Sequence, residues 1–282
     1  IIVGTLGGVA SALLFYGAAK GSAFALPLLV FSPLPVLIVA FGWLPLASVL
    51  STLALVITLA IATEPLVGMI AALIIAVPAL ISAYFYTLSR PAEEVGGPAD
   101  QVAWFPISAT FFRGLSAFAV ALIIVGVLSR TQTESLQAAM VTFLSDVLTA
   151  SRAAQGQNLP AMDPAAITAL AERMVRFLPA ALAATWVGIL ALNFTIAERI
   201  NRQSGRLERP APNYPETLGL LPLSAGVFAV GILLFSLNGP LAPIGAVMAG
   251  TFGMGFVMVG LATLHYVTRG LSGRGLILFA AY

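Results

Sequence analysis

Cysteine is absent from the 282 residues, and histidine occurs once. Without thiols there is no disulfide, no thiolate nucleophile and no Cys-ligated metal. A single imidazole leaves too few parts for a His-based metal centre, a Ser-His-Asp triad or a His relay. Charge is the next scarcity. Asp, Glu, Lys and Arg make up 9% of the chain, whereas a soluble globular domain carries about 25%, so there are too few ionic groups to coat a water-facing surface. The net charge of +2 is the balance of 13 basic residues, set mostly in loops, against 11 acidic ones. In an apolar chain that is an orientation signal and gives no reason to expect nucleic acid as a partner. No strand is expected, so no Gly-rich phosphate loop can follow one, and no catalytic residue, metal ligand or cofactor site is predicted.

What fills the space is apolar: 60% of the residues are hydrophobic and the mean hydropathy is +1.02. The runs approach 20 residues, the length of a spanning helix and not the roughly 10 of a barrel strand. The expected fold is an all-α membrane protein, a polytopic bundle of about eight transmembrane helices with an external amphipathic helical insertion. The helices are placed near 1–19, 23–41, 45–62, 66–88, 105–128, 175–198, 217–237 and 241–267. They form a single transmembrane domain: five helices in 1–128, the insertion at 129–174, three helices in 175–267 and the start of a truncated further helix at 275–282. The first run lacks a basic n-region and a small-residue cleavage site, and reads as a span instead of a signal peptide. Lys20-Gly21-Ser22, Thr63-Glu64-Pro65 and Asn238-Gly239-Pro240 are tight turns between antiparallel neighbours.

Arginine sets the orientation. Residues 199–209 hold Arg199, Arg202, Arg206 and Arg209, and Arg269 and Arg274 follow the last long run. These loops, the N-terminus and the 199–216 segment are expected in the cytoplasm of a bacterium, with 129–174 outside its inner membrane. Within 129–174, Thr131-Gln132-Thr133-Glu134 has capping-box spacing, and Leu136, Met140, Phe143, Leu144, Val147 and Leu148 recur on one helical face. After Gly156-Gln157-Asn158-Leu159-Pro160, Asp163 is placed as an N-cap with Pro164 at the first helical position. Two helices lying on the membrane surface are expected here, with Pro179 kinking the second as it enters the bilayer.

Ionisable and backbone-breaking residues inside spans are costly, so they are the functional candidates. Arg113 lies roughly 12 Å into the fifth helix, where it snorkels, pairs internally or touches a ligand. Asn193 is placed to bridge helices. Pro33 and Pro35, in Phe31-Ser32-Pro33-Leu34-Pro35, force a kink or an unwound piece in the second helix, tolerated only where protein or a water-filled cavity covers the freed carbonyls. Broken helices border substrate sites in transporters, which makes Pro33, Pro35, Arg113 and Asn193 the candidate ligand-binding set. Small residues recur every fourth position at Gly4, Gly8 and Ala12 and at Gly245, Ala249 and Gly253. These stripes mark close helix contacts, either within the bundle or with another membrane protein. Beyond the lipid bilayer itself, partners would dock on those faces or on the amphipathic segment.

The double-proline helix followed by Phe41-Gly42-Trp43-Leu44-Pro45, the long external insertion, and the arginine loop closing on Pro210-Ala211-Pro212-Asn213-Tyr214 resemble the YybS-like family of bacterial membrane proteins. That family is distantly similar to the substrate-binding subunits of energy-coupling-factor transporters and to MreD-type membrane proteins. The resemblance implies a helical bundle that either cradles a small molecule or docks on partners. The Gly4, Gly8, Ala12 stripe is analogous to a docking stripe in the first helix of such subunits. Two readings follow: a transport-related small-molecule-binding component, and a non-catalytic scaffold or accessory subunit.

Overall fold

A computed structural model describes residues 1–21, 23–43, 45–129, 133–155, 163–237 and 239–281. The chain runs through α1 (Ile2–Ala19), α2 (Ala25–Phe31), α3 (Leu34–Gly42), α4 (Pro45–Ala62), α5 (Pro65–Ala71), a π-turn at Ala72–Ala76, and α6 (Val77–Thr87). A small ribbon follows, β1 (Ser89–Pro91) antiparallel to β2 (Val102–Trp104), with Arg90 opposite Ala103. The chain continues in α7 (Ile107–Leu128), α8 (Thr133–Gln155), α9 (Pro164–Gln203), the single turn α10 (Tyr214–Thr217), α11 (Leu223–Ser236), α12 (Ala242–Val267) and α13 (Arg274–Ala281).

Seven stretches among the described residues are long and apolar enough to cross a membrane: α1, α2–α3 together, α4, α5–α6 together, α7, α9 and α12. The distribution of side-chain size suits lipid outside. Leu6, Leu13, Leu53, Ile57 and Ile61 are exposed, while Ala12, Ala71, Ala76, Ala83, Ala183, Ala197 and Ala246 are fully buried. Without water to drive apolar side chains inward, tight packing of small residues is what brings such helices together.

Both small-residue stripes are used in this way inside the chain. Gly4 lies against the backbone of Ala47 and Gly8 against that of Ser51 and Leu55, so α1 seats directly on α4. Gly245 meets the backbone of Gly231 and Leu234, Gly253 faces the Phe228 ring, and Gly231 leaves no room for a Cβ beside Ala249, joining α11 to α12. On another face of α12, Gly250 packs on Ala180 of α9. Of the two contacts the stripes could serve, the intrachain one is occupied.

Three expectations need revision. The span expected at 217–237 is a helix of 14 residues, because Leu218 to Pro222 stay irregular and α11 begins only at Leu223. A strand pair exists where none was expected, since the loop between α6 and α7 folds back on itself. The second surface helix and the span placed at 175–198 are one element, α9, of 40 residues, about 60 Å long at ~1.5 Å per residue, which continues through Pro179. Against it, α8 packs along the first turns of α9, where Gln137 donates to Glu172 at 3.2 Å. The capping box begins, and the break at 156–160 falls, outside the described residues. Asp163 does cap α9, its Oδ1 accepting from the Ala165 amide at 3.1 Å.

The double-proline break is visible as the gap between α2 and α3. Pro33 cannot donate to Leu29 O, which takes the Ser32 hydroxyl at 2.8 Å instead. The neighbouring Val30 O accepts from Asn193 Nδ2 at 2.7 Å, and the Val36 amide donates to Ser11 Oγ of α1 at 3.3 Å. The second break has the same logic. Pro78 frees the carbonyl of Ile74 in the π-turn, and Trp186 Nε1 donates to it at 2.8 Å. One helix, α9, thus supplies a donor to each of the two broken helices.

Candidate functional site

At the end of the bundle where the 88–106 and 204–222 loops gather, a carboxylate is buried. Glu198, in the last turns of α9, is 3% exposed. Its Oε1 accepts from the Tyr86 hydroxyl and from Arg202, and its Oε2 accepts from the Tyr214 hydroxyl at 2.6 Å. A buried carboxylate is tolerated only when paired and hydrogen-bonded, and here three donors do both. Burial first, then the neighbouring Tyr86 and Glu198, push the Tyr214 hydroxyl well above the ordinary tyrosine range, so it acts as a neutral donor.

Arg209 lies over this group. It is 7% exposed, stacks on the Tyr86 ring at 4.4 Å, and donates to Tyr86 O at 2.7 Å and to Phe105 O at 2.9 Å. Tyr86 O is one of the carbonyls left unpaired at the end of α6, so the guanidinium caps that helix. Burial pulls the Arg209 pKa down from its ordinary value. Nearby, Arg206 stacks on Trp43 at 4.3 Å, and Arg269 pairs with Glu216 and donates to Asn213. The arginine loop is therefore folded onto the bundle instead of trailing from it.

Beneath the carboxylate lies a cavity of about 310 Å³ between α3, α6, α7, α9 and α12. Its wall is apolar, with Leu37, Ala79, Phe111, Leu115, Phe118, Leu190 and Met258, and hydroxyls come only from Ser82, Thr110, Thr195, Tyr86 and Tyr214. Gly114 keeps α7 close to α6 there, since a Cβ would sit 2.5 Å from Ser82 Oγ. Ligand sites of this kind are mostly apolar with a few polar groups that fix orientation, and 310 Å³ falls at the small end of their range, about 300–1,000 Å³. Among the described residues no group of three or more His, Asp or Glu stands close enough to hold a metal ion.

The residues predicted from sequence lie beside this cavity and not on it. Pro33 and Pro35 shape the helix whose Leu37 lines it. Arg113 is half-buried between Phe85 and Phe105, 4.5 and 4.7 Å from their ring centres, with Nη1 3.4 Å from Ala109 O; its neighbour Gly114 reaches the wall. Asn193 bridges α9 to α2 while Phe194 and Thr195 face the void. His265 lies in the last turn of α12, its Nδ1 3.0 Å from Leu261 O. The Glu198 cluster escaped sequence reading. Only its Glu198–Arg202 pair, at helical spacing, carried a local signal.

Fold and site together define a helical bundle carrying one two-stranded ribbon, with seven stretches long and apolar enough to cross a membrane, an apolar pocket between five helices, and a buried carboxylate cluster beside it. No family model, no curated protein and no solved structure matches the chain.

Proposed function

We propose that this chain is a multi-pass protein of a bacterial inner membrane and a transport-related component that binds a small molecule within its bundle. The N-terminus and the 199–216 loop face the cytoplasm, and the α8–α9 hairpin stands outside. The observation that carries this reading is the cavity of about 310 Å³ walled by five helices. A concave, mostly apolar pocket of this size between five helices leaves apolar surface that a bound molecule would cover. The lining favours an apolar ligand over a vitamin-like polar one. The Glu198 carboxylate, engaged by Tyr86, Tyr214 and Arg202, is a structural latch at the cavity's end and is assigned no catalytic step.

Native mass spectrometry of the protein released gently from its own membrane tests this. A stoichiometric small-molecule mass is expected, and it should be lost in Leu190→Trp, which fills the cavity. A spectrum without ligand in the parent protein would sink the reading.

The scaffold or accessory-subunit reading draws on a separate observation. Phe143 and Val147 of α8 and Leu170 and Met174 of α9 are exposed on the hairpin beyond the bundle. Copurifying subunits without a small molecule in the same spectrum would favour it.

A further inference from the structure

We infer that the occupant of the cavity is a single-chain amphiphile bearing one anionic group, a phosphate or a carboxylate, with its chain in the bundle and its head at Arg199. This rests on the reading of the cavity as a ligand site and adds the class of ligand.

Two voids meet at the same side chains. Thr195 and Tyr214 line both the apolar cavity and an open cleft of about 440 Å³ at the end of the bundle, where the charged side chains gather. The rest of the cleft includes Glu198, Arg199, Arg202 and Gln203. Of its two guanidiniums, Arg202 pairs with Glu198, which leaves Arg199 as the surplus positive charge. Glu198 already accepts from Tyr86, Tyr214 and Arg202, so its charge is answered within the protein. Arg199 is exposed on the same rim and takes part in neither of the two ion pairs formed between described residues.

An apolar cavity adjoining an uncompensated cation fits a molecule with two unlike halves. A neutral apolar ligand would leave Arg199 unengaged, and a compact anion would leave the phenylalanine-lined cavity empty. The depth also agrees. Thr195 to Gln203 form the last turns of α9, where a spanning helix meets the headgroup layer and arginines contact anionic lipid groups. A lipid entering from the bilayer and a fatty acid or alkyl phosphate entering from water share this chemistry.

The test uses the full chain in a neutral detergent, with dodecyl phosphate, dodecanol and inorganic phosphate as probes and retained mass in native spectra as the readout. Dodecyl phosphate should be held one to one and dodecanol about tenfold more weakly, the lower range for losing hydrogen bonds to a charged group. Inorganic phosphate at equal concentration should displace neither. Arg199→Gln, on an exposed site that does not threaten folding, should bring dodecyl phosphate down to the dodecanol level and leave dodecanol unchanged. An anionic lipid already present in protein taken from the membrane would support the proposal with the bilayer as source; an empty protein that loads on addition would support it with water as source. Equal retention of the two chains, unaffected by Arg199→Gln, would overturn the anionic head while the cavity reading stands. Displacement by inorganic phosphate would overturn the amphiphile. Retention of neither chain would overturn the cavity reading as well.

Discussion

Gly42 shows how far a single atom can matter here. It ends α3, and a Cβ would overlap the Asn201 carboxamide and come 3.3 Å from Arg206 Cδ. Asn201 is 1% exposed and donates to Ile38 O at 3.1 Å, so it has no free space to retreat into. Gly42→Ala should therefore destabilise by about 1–3 kcal/mol, the usual range for overpacking. Gly226→Ala, where a Cβ meets nothing within 4 Å, should be neutral or slightly stabilising, because alanine is the better helix former. Thermal unfolding of the two variants in one detergent checks the contrast. Tyr214 offers a test with a pH signature. Its hydroxyl donates to a carboxylate, so Tyr214→Phe should cost about 1.5–3 kcal/mol near neutral pH. Burial raises the folded pKa above the unfolded value of 10.0, so the folded state holds this proton more tightly. The stabilisation is complete below pH 10 and declines as the unfolded tyrosine ionises above it. The gap between parent and Tyr214→Phe should narrow from pH 10 upward; a gap that widened would place the phenol in a different environment.

Between elements, α9 acts as a spine that repairs its neighbours. Asn193 and Asn201 donate to Val30 O and Ile38 O, each pair 163 residues apart, and the constant offset means that α9 runs parallel to α2–α3 in fixed register. Trp186 extends the same service to Ile74 O in the π-turn. Trp186→Phe keeps the ring and removes the donor, leaving that carbonyl unpaired, and should cost about 1 kcal/mol. Asn193→Leu should cost a similar amount, with a partial offset because the buried Asn193 Oδ1 has no partner to lose. Unfolding in graded denaturing detergent would read both, and no change in either variant would mean that the carbonyls find other donors. These repairs explain what the sequence disclosed and what it hid. Seven of the eight expected spans and the Pro33–Pro35 break were legible because a bilayer demands long apolar runs and proline forbids a helical bond wherever it falls. The donors that heal each break were not, since Trp186 and Ile74 stand 112 residues apart. The Tyr86–Glu198 latch hid for the same reason, its partners also 112 apart. A cavity among leucines and phenylalanines leaves no local pattern at all.

For the molecule as a whole, the ends of the bundle sort themselves consistently. Arg206 on Trp43, Arg209 on Tyr86 and Arg269 on Glu216 gather the arginine loops at one end. At the other end, Arg176 of α9 donates to Phe235 O, closing the last turn of α11 at 3.0 Å, and α9 continues beyond this point toward Pro164. Because lysine and arginine are retained on the cytoplasmic side in short loops, the end carrying Arg199, Arg202, Arg206 and Arg209 should face inward. The absence of cysteine makes this directly measurable, since any thiol introduced is the only one present. Ser204→Cys lies exposed at the arginine end, Thr149→Cys on the exposed side of α8, and Glu64→Cys in the exposed turn before α5. In intact spheroplasts a membrane-impermeant maleimide should label the Thr149 and Glu64 variants, and should reach Ser204 only after permeabilisation. Labelling of all three in intact cells would mean that one of the intervening helices does not cross the bilayer. The mirror-image pattern would place the amphiphile cleft on the outer surface, with Arg199 and Arg202 facing the outer leaflet.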